Sequence, residues 1–88
     1  HLTLDDQEAE MVQQIAGAPD FDGDELARHL NEAVAMLPEK QRIVFNMKYF
    51  DDMKYEEISE ILGTSVGALK ASYHLAVKKI EQYFENLD

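Results

Sequence analysis

The chain contains no cysteine. A secreted fold stapled by disulfides is therefore excluded, and so are thiolate metal sites. Cations are scarce: eight Lys and Arg stand against 18 Asp and Glu, for a formal net charge of −10. Taken as a bulk figure, that balance argues against nucleic acid. No apolar run approaches the roughly 20 residues of a membrane span, and no signal peptide is visible. With 88 residues there is room for one small domain and a linker. What is present is a 45% hydrophobic fraction, too high for a disordered acidic tail. The expectation is a soluble, cytoplasmic globular domain without membrane insertion.

Catalytic constellations are missing as well. There is no nucleophile–base arrangement, no Gly-rich phosphate loop and no carboxylate pair in an apolar setting. An enzyme is not expected, nor is any cofactor. Asp20, Asp22 and Asp24 copy the first three ligand positions of a calcium loop. Glu25 then stands where that loop needs Gly, and Asn31 where it needs its last carboxylate. Helix capping explains these acids better. His1, His29 and His74 have no metal-ligand spacing, so no metal site is expected.

The charge is unevenly spread. Residues 1–39 carry ten acids against Arg28 alone, a sum of −9. Residues 40–88 carry eight acids against seven cations, a sum of −1. Within that half, residues 64–80 hold Lys70, Lys78 and Lys79 and no acid, a window of +3. Charges are screened over about 8–10 Å in physiological salt. A ligand on this window feels the lysines more than the distant acids. Three lysines on a solvated helix face remain the plainer reading of charge alone.

Periodicity is helical throughout, in five segments, without repeats or low-complexity tracts. The first, residues 4–16, has a Thr3/Asp6 capping pattern, a thin Met11–Val12–Ile15 stripe, and Gly17 and Pro19 at its end. A turn-rich joint over residues 18–23 marks the boundary between an acidic linker (1–20) and the domain proper (21–88). The second segment starts at Asp22 or Gly23, with Asp22 as cap, and runs to Leu37. It buries Leu26, Leu30, Ala33, Val34 and Leu37. The third starts with Pro38 in a first helical position and runs to about Phe50. Its apolar residues lie around most of the circumference, so it is central or keeps a face for a partner. The fourth, residues 55–62, turns Tyr55, Ile58, Ile61 and Leu62 inward, and Gly63 fits a left-handed cap. The fifth has Ser65 as N-cap and ends near Phe84.

A short helix, a Gly63-Thr64-Ser65 turn and a longer helix form a helix-turn-helix pattern. An ordinary helical hairpin uses the same caps, so the second helix must decide. Val66, Leu69, Tyr73, Ala76, Ile80 and Phe84 share its inward face. Gly67, Ala71, His74 and Lys78 lie opposite, flanked by Lys70 and Lys79, with Ala68 and Leu75 between. Small residues allow close approach, and flanking cations reach phosphates on both sides of a groove. The helix start at Ser65, Val66 and Gly67 also offers backbone N–H groups to a phosphate. Leu75 is outward and apolar; it can meet a thymine methyl, a protein or solvent.

Three blocks now stand in order: Leu37-Pro38-Glu39-Lys40-Gln41-Arg42-Ile43-Val44-Phe45, then Tyr55-Glu56-Glu57-Ile58-Ser59-Glu60-Ile61-Leu62-Gly63, then Ser65-Val66-Gly67-Ala68-Leu69-Lys70. Together they resemble region 4 of bacterial sigma factors, most closely the extracytoplasmic-function (ECF) group. The middle block also occurs in the helix-turn-helix of response regulators; the Leu-Pro-x-x-Gln-Arg block separates the two. The resemblance covers about residues 22–84. It implies an all-α bundle with a C-terminal helix-turn-helix that binds the −35 promoter element as part of RNA polymerase holoenzyme. It further implies docking on the polymerase β flap, sequestration by an anti-sigma factor and a monomer when free. By position, Lys70, Ala71, His74 and Leu75 would face bases. Tyr55, Glu56 and Ala68 would lie near the DNA backbone, and Arg42 would touch DNA or pack locally. Residues 1–20 would end the linker between regions 2 and 4. Region 2 is not in this chain, which starts at His1 and reads as an excised piece. The family often has Arg at the positions of Ser72, Leu75 and Val77, and Ser or Thr at that of Lys54. A second reading makes the domain mainly a docking module, with Val44, Phe45, Met47 and Lys48 holding polymerase or an anti-sigma factor. A third is a response-regulator output domain.

Overall fold

The computed structural model describes residues 22–87. Four α-helices follow one another: α1 (Gly23–Ala35), α2 (Glu39–Phe45), α3 (Tyr55–Leu62) and α4 (Val66–Glu85). No strand occurs among the described residues. The expected helix over residues 4–16 lies outside them.

Local chemistry sets the boundaries. Asp22 caps α1, its Oδ1 accepting the Glu25 N–H at 2.8 Å. The helix ends at Ala35, two residues short of the expected Leu37, and the N–H of its cap Met36 is shared by the Glu32 and Ala33 carbonyls. Pro38 is the N-cap of α2 rather than its first helical residue, with extended ψ of 150°. The expected single helix up to Phe50 does not continue regularly. After Phe45 it widens into a π turn, Asn46–Phe50, where Asp51 N–H reaches back five residues to the Asn46 carbonyl at 3.1 Å. Asp52, at φ 52°, then turns the chain into α3.

One core joins all the elements. Ala33, Val34 and Leu37 meet Val44 and Phe45, Tyr55 and Ile58, and Leu69, Tyr73, Ala76, Val77 and Ile80. Phe45 stacks on Tyr49 at 5.1 Å and on Tyr73 at 5.6 Å, which locks α2 and the π turn onto α4. Contrary to the expectation from spacing, Ile61 and Leu62 of α3 do not turn inward. Ile61 is 63% exposed and Leu62 38% exposed, because an eight-residue helix ending at the surface has core contact only along Tyr55 and Ile58. Val77, beyond the expected inward face of α4, is fully buried.

Candidate nucleic-acid interface

The turn between α3 and α4 is built as expected. Gly63 takes φ 68° at the end of α3, and its N–H bonds the Ser59 carbonyl at 2.9 Å. Ser65 Oγ accepts the Ala68 N–H at 3.2 Å, capping α4. A further tie was not foreseen: Ser59 Oγ donates to the Thr64 carbonyl at 2.6 Å, fastening α3 to the turn. These bonds set the direction in which α4 leaves its neighbour.

On α4 the exposed face is Gly67, Ala68, Ala71, Leu75, Lys78 and Lys79. Leu75 is 50% exposed and sits among them. Lys70 and His74 are half-buried at one edge of this face, rather than at its centre. Lys70 Nζ lies 5.7 Å from the Tyr55 ring centroid, so that edge borders the start of α3. Val66 is half-buried and packs on the core, so its side chain leaves only backbone for DNA. Along the opposite edge, Ala68 and Ser72 line a cavity of about 260 Å³ with Lys40, Ile43, Leu62 and Thr64. The exposed face of α4 is therefore bordered by Lys70 and His74 on one side and by this cavity on the other.

Several other residues require correction. Val44 is 3% exposed and Phe45 1%, so neither can serve as a docking surface. Met47 is half-buried against the same core. A helix apolar on most sides has gone to the centre, with Val44 and Phe45 on its buried side. Tyr55 is 7% exposed, too buried to lie along a DNA backbone itself. Arg42 packs locally, its Nη1 donating to the Leu37 carbonyl at 3.4 Å across the α1–α2 turn. Because Val77 is buried, it is not a place where a DNA-contacting cation has been lost; Ser72 and Leu75 remain. Lys54 has no capping side chain, and the Glu57 carboxylate instead accepts its N–H at 3.0 Å. No cluster of three or more His, Asp or Glu that could hold a metal occurs among the described residues. None of their helices is long and apolar enough to cross a membrane.

The model of sigma-70 region 4 matches residues 27–80, which include all of α2 to α3 and most of α1 and α4. The chain belongs to the sigma-70 region 4 family. Its curated relatives place this region 4 domain in the ECF group. It is 32% identical over 63 residues to the ECF RNA polymerase sigma factor SigW of Bacillus subtilis, covering 72% of this chain and 34% of the relative. It is also 32% identical over 54 residues to the ECF RNA polymerase sigma factor RpoE of Cereibacter sphaeroides, covering 61% and 30%. With the sigma factor SigV of Bacillus subtilis the identity is 35% over 49 residues, covering 56% and 30%. The chain thus spans about a third of the length of these relatives. No solved structure matches it significantly.

Proposed function

We propose that this region 4 domain recognises the −35 element of promoter DNA during transcription initiation, in the cytoplasm, as part of RNA polymerase holoenzyme. The observation that carries the reading is the outer face of α4. It presents small residues beside cations, and a capped glycine turn holds it at a set angle. Ala71 and Leu75 approach base edges from the centre of the face. Lys70 and His74 reach from one edge, and Lys78 and Lys79 contact phosphates along the far turns. Residues 1–20 serve as the end of the linker from region 2, and residues 21–88 as the promoter-reading domain.

The test is transcription from a promoter that depends on its −35 element. Lys70→Ala with His74→Ala abolishes that transcription while binding to core polymerase survives. Equal loss of both activities would overturn the base-reading role.

The apolar edge of α4 favours a second contact made by the same domain. Leu62, 38% exposed, borders the cavity also lined by Ile43 and Ala68, and these side chains suit the polymerase β flap or an anti-sigma factor. The free domain is a monomer. Dimerisation through α4 at high concentration, seen by sedimentation, would favour a response-regulator output domain instead.

A further inference from the structure

One large apolar side chain on the outer face of α4 takes no part in the core. Leu75 is 50% exposed, stands outside the buried cluster, and does not line the cavity beside Ala68 and Ser72. An exposed leucine needs no explanation by itself; the surroundings of this one distinguish it. Ala71, one turn earlier, and Lys78 and Lys79, one turn later, are exposed on the same side of the helix. Residues 64–80 contain no acid. An apolar tip set among cations, with no carboxylate in the window, suits a partner that is anionic around an apolar spot.

Duplex DNA has that character. Phosphates line its major groove, and the floor carries one apolar group, the C5 methyl of thymine. The side chains of Ala71 and Leu75 have no hydrogen-bonding atoms, so they cannot pair with the donors and acceptors that mark the other bases. Against a G·C pair, Leu75 would cover polar base atoms and leave them without water, at a cost. Against thymine it gains a contact and removes apolar surface from water. The preference thus has a repulsive and an attractive part. Clearance also fits. Gly67 and Ala71 are exposed and small, and a Cβ added at Gly67 would meet nothing within 4 Å, so packing inside the domain does not demand a glycine there. Small residues at these positions let the helix backbone come close to the groove floor, which brings the longer Leu75 side chain to it. Four residues of helix cover about 6 Å, so Ala71 and Leu75 fall within about two base-pair steps, at roughly 3.4 Å per step.

We propose that Leu75 selects thymine at one position of the bound duplex by contact with its C5 methyl, with Gly67 and Ala71 supplying the clearance. Leu75 is then a specificity-determining residue that reads by shape and desolvation, while Lys78 and Lys79 hold neighbouring phosphates. The contact rests on the duplex-binding reading given above.

The experiment uses the full chain and a duplex library with a randomised centre, bound at low salt and sequenced. The enriched duplex is then made with deoxyuridine in place of each thymidine in turn, which keeps the pairing and removes only the methyl. At one position this change should weaken binding by the wild-type chain about four-fold, the worth of one buried methyl group. Leu75→Ala should bind the thymidine duplex more weakly and lose the difference between the two duplexes, as a double-mutant cycle requires of groups in contact. Leu75→Met keeps the apolar bulk and should retain that difference. Circular dichroism establishes that each variant is folded. An equal loss on deoxyuridine substitution in wild type and in folded Leu75→Ala overturns the contact. No loss at any thymidine also overturns it, and weaker polymerase binding by Leu75→Ala would then assign the residue to a protein partner. A wild-type chain that enriches no sequence overturns the base-reading role itself.

Discussion

Tyr83 shows how much one side chain can tie together. Its hydroxyl donates to Glu32 Oε2 at 2.6 Å and lies 3.4 Å from His29 Nδ1, linking the end of α4 to the middle of α1. The hydrogen bond to Glu32, then burial, then the charge of that carboxylate raise its pKa above the usual 10.0. The folded state therefore holds this proton more tightly than the unfolded state. The contribution to stability is complete below the usual tyrosine value and is lost as pH rises through the raised one. Tyr83→Phe should lower the thermal midpoint at neutral pH, and the gap to wild type should close at strongly alkaline pH. A gap independent of pH would sink the assignment. At this scale the sequence was only partly readable. Ser65 and Asp22 could be identified as caps because the bond each makes spans three residues. The docking role expected for Val44 and Phe45 does not fit their burial, because a helix apolar on most sides does not say which side meets the core. The approach of Lys48 and Lys70 to the Tyr55 ring joins three elements and has no local signature.

Among the elements, the turn before α4 decides where the exposed face of that helix points. Gly63 is left-handed, and an added Cβ would meet nothing within 4 Å. Gly63→Ala should therefore cost backbone strain alone, about 1–2 kcal/mol in urea unfolding, without a steric clash. A loss of much more than that would mean the turn is packed more tightly than its surroundings indicate. The helix order and the turn were legible because apolar spacing, Gly and cap residues are all local signals. The π turn was not, since no residue in Asn-Met-Lys-Tyr-Phe demands a five-residue hydrogen bond. Local packing of Phe45, Tyr49 and Phe50 against one another accompanies it, and Phe45 also stacks on Tyr73 of α4. Ile61 and Leu62 misled for a related reason: their spacing suits a buried stripe, but α3 ends before a neighbour covers them.

For the whole molecule, the net charge of −10 and the lysine-bearing face of α4 act in opposite directions. The isolated domain should bind free duplex weakly, through roughly three to four phosphates, with a slope of log K against log salt of about −3. Tight binding with a slope near zero, measured by titration at several ionic strengths, would refute this electrostatic account. Among the described residues there is little core to rely on: one cluster of twelve buried side chains serves the four helices. A domain that small keeps only a modest margin over its unfolded state. The buried cluster lies directly behind the outer face of α4, so a partner that grips that face holds the folded form alone. At a hundredfold excess over its dissociation constant, such a partner adds about 2.7 kcal/mol to the folding equilibrium. Promoter and polymerase would then be part of what keeps this chain folded, and its lifetime in the cell would follow its occupancy.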